Sequence, residues 1–172
     1  MRRDILMLIG MALTAVAIGV FIFFLDPNLP SSSSSAVANN DAQSAVTVPI
    51  TKLAQGSHST VSRRVNYFIT SPSHLQYLWK MIDAAGTPPA IDFKKEAVLA
   101  VFAGERPTTG YAIEVSKVLD SSSRLVSITL AKPDDSCMTG QSLTAPYEIV
   151  AVPTTSLPLA HEDISTTVSC KN

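Results

Sequence analysis

Charge is scarce in this sequence and neither sign predominates. Only 16% of the 172 residues are Asp, Glu, Lys or Arg, and the formal net charge is -1. A surface built to hold nucleic acid phosphates carries a basic excess, so nucleic acid is excluded as a partner. The acidic run of a disordered solvating tail is also missing. Two cysteines without a nearby histidine do not make a four-ligand zinc site. The seven glycines form no phosphate-cradling loop, and no G-x-S-x-G, S-x-x-K or H-E-x-x-H element occurs. His58, His74 and His161 are the only groups suited to near-neutral proton transfer. His58 and His74 each neighbour a serine, but adjacency alone does not place a hydroxyl proton on an imidazole. Three adjacent side chains such as His161, Glu162 and Asp163 rarely converge on one metal ion. The sequence therefore predicts no catalytic residues, no metal, no cofactor and no small-molecule substrate. An envelope hydrolase would need one of these histidines beside a serine or carboxylate in a cleft.

What the chain does have is apolar weight at one end. Hydrophobic residues reach 46%, with a mean hydropathy of +0.24. Ile5 to Leu25 runs without a charged side chain. As a helix it would span roughly 31 Å, the thickness of a bilayer's hydrocarbon core. Arg2 and Arg3 precede it, so residues 1–4 are expected in the cytoplasm and the rest on the other side of the inner membrane. A cleaved signal peptide is the alternative, although its apolar region is usually shorter and its cleavage site closer. Asp26 to Ala45 holds five consecutive serines and two prolines, too little apolar area to fold, and reads as a flexible tether. Such a coil has a typical end-to-end distance of about 25 Å.

Residues 46–172 suit one extracytoplasmic domain, periplasmic or extracellular, with 11 basic and 11 acidic residues. Val46 to Leu53 reads as an edge strand because it contains Pro49. Val61 to Ile69 alternates with a period of two, as do the segments around Ile113 and Ile128. Ala97 to Ala103 and Tyr147 to Val152 are unbroken apolar runs, expected of central strands covered on both faces. Asp120 to Ser123 predicts a hairpin. One helix interrupts the strands. Ser71 is its N-cap, Pro72 its first residue, and Leu75, Leu78, Trp79 and Ile82 its apolar face, with Gly86 and Pro88-Pro89 as the stop. The fold class is thus mainly β, a sandwich or partly open barrel, mostly antiparallel, with one short inserted helix. Cys137 and Cys170, in an oxidising compartment, are expected to form a disulfide.

The distinctive local feature is Gly104 to Tyr111, GERPTTGY, between the run ending at Ala103 and the strand beginning at Tyr111. Pro107 restricts the backbone while Gly104 and Gly110 permit turns, giving a stiff exposed loop that loses little entropy on binding. Arg106, Pro107, Thr108, Thr109, Gly110 and Tyr111 are the candidate partner-binding residues. A plain hairpin turn is the simpler reading of the same residues.

The stretch Ile91 to Phe102, followed by Gly104, Pro107 to Tyr111 and Ile113, resembles the core of the PrcB carboxy-terminal domain family. Ser142 to Pro153 is similar to that family's later Thr-x-Pro-Tyr strand, and the likeness spans about Ser71 to Pro153. Thr109 departs from it, since the family often has a second glycine there. The resemblance implies an exported β domain and, in the namesake, an accessory subunit of a protease complex. Pro107 to Tyr111 is also similar to the inhibitory loop of chagasin-type cysteine-protease inhibitors. Arg106 stands where that family has Asn, and its other two loops are not found here. The expected function is a membrane-anchored interaction module that engages an envelope protein, a protease or its complex. A direct protease inhibitor acting through Pro107 to Gly110 is the alternative.

Overall fold

The computed structural model describes residues 44–82 and 86–170. The expected tip (1–4), transmembrane helix (5–25) and all but the last two residues of the tether (26–45) lie outside these. Among the described residues no helix is long and apolar enough to cross a membrane.

Among the described residues, eight strands and one helix follow in the order β1 (Val46–Thr47), β2 (Thr51–Gly56), β3 (Val65–Ile69), α1 (Pro72–Trp79), β4 (Glu96–Phe102), β5 (Ala112–Asp120), β6 (Arg124–Pro133), β7 (Tyr147–Pro153) and β8 (Leu159–Val168). They build two four-stranded sheets, β1-β5-β6-β8 and β2-β7-β4-β3. A cluster that includes Leu99, Val101, Ile113, Val126, Ile128 and Val150 fills the space between the sheets. The opposite face of β4 and β7, carrying Val98, Ala100, Phe102 and Ile149, packs on Leu75, Leu78 and Ile82. Both strands are therefore apolar at consecutive positions because both of their faces are covered. The pattern expected of a sandwich with one inserted helix is met.

Four sequence expectations change in detail. Val46 to Leu53 is not one strand: β1 pairs with β5 and β2 with β7, so the chain passes from one sheet to the other around Pro49. The third strand begins at Val65 rather than Val61. Helix α1 starts as expected, with the His74 N–H donating to Ser71 Oγ at 3.4 Å, but ends at Trp79. Ile82 reaches the core from beyond the helix, through a bridge to Ser59. Finally, β8 was not expected as a strand, and it pairs with β6 in parallel, the exception in an otherwise antiparallel fold.

Two buried charges tie the sheets together. Glu148, on β7, accepts the Val115 N–H at 2.6 Å beside the β5 bulge and pairs with Lys52 at 2.8 Å. A bulge frees a backbone donor from its ladder, and a buried donor needs a partner. The Glu148 hydrogen bond, then its charge, raise the Lys52 ammonium above its ordinary 10.5. Arg124, at the start of β6, donates twice to Asp120 at 2.7 Å and also to the Pro153 carbonyl. It thereby closes the expected Asp120–Ser123 hairpin and fastens it to the end of β7.

Candidate functional site

The Gly104–Tyr111 loop joins β4 to β5, which belong to different sheets, so it is a crossover at one end of the sandwich and not a hairpin turn. Gly104 opens it with φ +75°, and a Cβ there would lie 2.8 Å from the Ser62 carbonyl oxygen. Only glycine allows this left-handed turn against a neighbouring backbone. Glu105 N–H donates to that same Ser62 carbonyl at 3.1 Å. Gly110 closes the loop with φ +93°.

Between these glycines the loop is clasped by a second segment, 139–144. Arg106 and Thr144 exchange both backbone hydrogen bonds, at 2.7 and 3.0 Å. Thr144 Oγ1 donates to the Thr108 carbonyl at 3.0 Å. Thr109 N–H donates to the Gly140 carbonyl at 3.0 Å, and Thr109 Oγ1 accepts the Gly140 N–H at 2.8 Å. Five hydrogen bonds therefore fix the loop on its neighbour. The stiffness read from Pro107 has a larger source in this pairing.

The six candidate residues do not play equal parts. Arg106 turns inward: Nη2 donates to the Ala103 carbonyl at 2.7 Å, and the guanidinium lies 5.8 Å from the centre of the Tyr111 ring. A cation over an aromatic face at that distance is attracted by the ring. Arg106 and Tyr111 thus brace the loop from within, and Thr108 is half-buried. Pro107, Thr109 and Gly110 form the exposed crest.

Sequence reasoning missed two residues of this surface. Met138 precedes the clasping segment and Leu143 lies within it, and both side chains are exposed. They carry no periodic signal, because they sit in an irregular stretch between β6 and β7. The expected disulfide anchors the same region: Cys137 and Cys170 are joined, with Cα atoms 5.5 Å apart. The Cys137 N–H donates to the Asp134 carbonyl at 2.9 Å, and Asp134 N–H to the Val168 carbonyl at 3.0 Å. Ser136 hydrogen bonds hold the Asp134 carboxyl below its ordinary range.

The histidines are dispersed. His58 Nδ1 lies 2.9 Å from Ser57 Oγ, a contact between exposed sequence neighbours. His74 is exposed in the first turn of α1, and His161 is exposed on β8. Among the described residues no group of three His, Cys, Asp or Glu side chains could hold a metal ion. His161 and Asp163 point to one face of β8 and Glu162 to the other.

The loop, its clasp and the strands on either side are also what comparison with known proteins recognises. Residues 97–153 match the model of the PrcB C-terminal family. This stretch is PrcB-like. It runs from β4 through the loop, β5, β6 and the clasping segment to the end of β7, one third of the chain. The PrcB match starts later than the Ser71 expected from the motifs, so α1 lies outside it. No curated protein and no solved structure matches the chain. Nothing in these comparisons bears out the likeness to chagasin-type inhibitors.

Proposed function

We propose that this is a protein-interaction domain, an accessory subunit of a protease complex outside the cytoplasm, which docks through the clasped-loop end of its sandwich. The carrying observation is the crossover loop bound by five hydrogen bonds to segment 139–144, which exposes Leu143 and is preceded by the exposed Met138. A surface ordered before binding loses little conformational entropy on association, and exposed apolar side chains supply the contact energy. The PrcB C-terminal match covers this end, and the family resemblance supplies the protease-complex association. Location outside the cytoplasm is supported by the disulfide and by the charge-free run behind Arg2 and Arg3. That run would hold the domain at the inner membrane. The reading contains no catalytic step, metal or cofactor.

Site-specific photo-crosslinking in intact cells tests it. A photoreactive residue at Leu143 or Pro107 is expected to capture one discrete protein, and the same residue at Gln55, on the exposed part of β2, is not. Capture from Gln55 with none from Leu143 or Pro107 refutes the assignment of the surface.

A further inference from the structure

Strand β8 is unusual for a ten-residue strand: every one of its residues is exposed. Its ladder to β6 runs without a register shift from Arg124↔Leu159 to Pro133↔Val168. Among the described residues nothing pairs with its other side, so β8 is the free edge of its sheet. Edges of this kind are often blunted by Lys, Pro, a bulge or free charges. Residues 159–168 contain no Lys, Pro or bulge, and the two carboxylates, Glu162 and Asp163, are engaged by Ser127 and Arg64.

Two backbone bonds that flank the ladder set its phase. Arg124 N–H donates to the Pro158 carbonyl and Asp134 N–H to the Val168 carbonyl. In a parallel pair the residues facing the neighbour alternate, so the even-numbered residues of β8 serve β6. The N–H and C=O groups of His161, Asp163, Ser165 and Thr167 point away from it, an unpaired template.

The edge also borders an opening into the core. A cleft of about 210 Å³ lies between β8 and β3, with Leu159 and His161 on one side, Phe68 on the other, and Leu99, Val126 and Ile128 at its floor. Odd-numbered residues of β8 share the face of Val126 and Ile128, their ladder neighbours across from His161 and Asp163. Arg64, just before β3 of the opposing sheet, reaches Asp163 at 2.6 Å. On the outer face Glu162 is the only charge among the even-numbered residues of β8, held by Ser127 Oγ through Oε1 at 2.6 Å.

We propose that β8 accepts an added strand from a partner protein, a segment in which a basic residue alternates with apolar ones. The basic residue lies opposite Glu162, and its apolar neighbours, pointing the other way, enter the cleft. Main-chain hydrogen bonds supply the attachment and alternate side chains the selectivity. Charge argues against a second copy of this chain: antiparallel self-pairing centred on Asp163 sets the Asp163 carboxylates of both copies directly opposite each other, and like charges across strands are destabilising.

The test uses the full chain and a synthetic peptide of about ten residues that alternates valine with lysine and threonine. Amide exchange is read residue by residue by NMR. The peptide is expected to slow exchange at His161, Asp163, Ser165 and Thr167 by roughly tenfold or more, while a version with glutamate in place of lysine does not. Ser165→Pro removes one outward donor and none that serves β6, a position where an edge strand tolerates proline. It should abolish the slowing. Glu162→Lys leaves the backbone untouched, and it should exchange the preferences for the two peptides. No slowing at millimolar lysine peptide, slowing that survives Ser165→Pro in a folded protein, or unchanged preference in Glu162→Lys overturns the proposal. Slowing that grows with protein concentration in the absence of peptide assigns the edge to a second copy and overturns it too.

Discussion

Removing the Cys137–Cys170 disulfide is the perturbation whose size follows most directly from the structure. The bond closes a loop of 33 residues. In the chain-entropy model a loop of that length restricts the unfolded state by about 3.7 kcal/mol, within the typical effect of about 2 to 4 kcal/mol. A domain of about 125 residues unfolds with an entropy near 260 cal/mol/K, so the full effect corresponds to a Tm lower by roughly 14 °C. The native state responds unevenly. Strand β8 is exposed along its whole length, so the parallel ladder and the disulfide hold it in place with almost no burial. In Cys137→Ala/Cys170→Ala, β8 amides that face β6 should exchange far faster than those of β4 and β7, which are buried on both faces. Calorimetry and NMR exchange on the double variant read the two effects. A Tm within about 3 °C of the parent, together with unchanged β8 protection, refutes the claim that the disulfide secures this strand.

Two further perturbations probe the framework of the candidate surface. Gly104→Ala places a methyl group 2.8 Å from the Ser62 carbonyl oxygen at a φ of +75°. The left-handed backbone and the forced shift of its neighbour together should cost about 2–4 kcal/mol in urea unfolding; a loss under about 1 kcal/mol contradicts the described turn. The Asp120 carboxyl is held below its ordinary 3.8, first by its hydrogen bond to Arg124 and then by that residue's charge, against an opposing effect of burial. A carboxyl depressed in the folded state stabilises the protein above the unfolded-state value. That contribution disappears as pH falls below 3.8 through the lower folded value. Asp120→Asn should flatten the acid limb of the stability profile and strand the buried Arg124, costing about 3 kcal/mol at pH 7. An acid limb identical to the parent's rules out this pair as its source.

How far the sequence speaks for itself depends on which faces of an element are covered. Strands β4 and β7 were legible as apolar runs because a sheet covers one face and α1 the other. The alternation in β5 and β6 follows from one covered face. Strand β8 was invisible because neither face is buried, and Leu159, Ile164 and Val168 make no pattern among polar neighbours. Glu148 lies within an apolar run, and its partners, Lys52 and the Val115 N–H at the β5 bulge, are about 96 and 33 residues away in sequence. At the candidate site Gly104, Pro107 and Gly110 announced a constrained loop. The clasp did not show, because Thr109–Gly140 and Thr108–Thr144 are contacts between segments about 31–36 residues apart. Arg106 read as a contact residue, whereas its near neighbours Ala103 and Tyr111 turn it into an internal brace, a side-chain direction that the residue types alone do not fix.

The central claim is that the clasped-loop end binds a protein partner, and the most direct test is the affinity of the crosslinked protein for a Met138→Ser/Leu143→Ser variant. Both side chains are exposed in the free domain and hold nothing else in place, so the variant should fold with an unchanged Tm. Burying each at an interface is worth about 1.5 kcal/mol or more, so the double variant should bind at least roughly 100-fold more weakly by titration calorimetry. Affinity within about threefold of the parent would contradict the account.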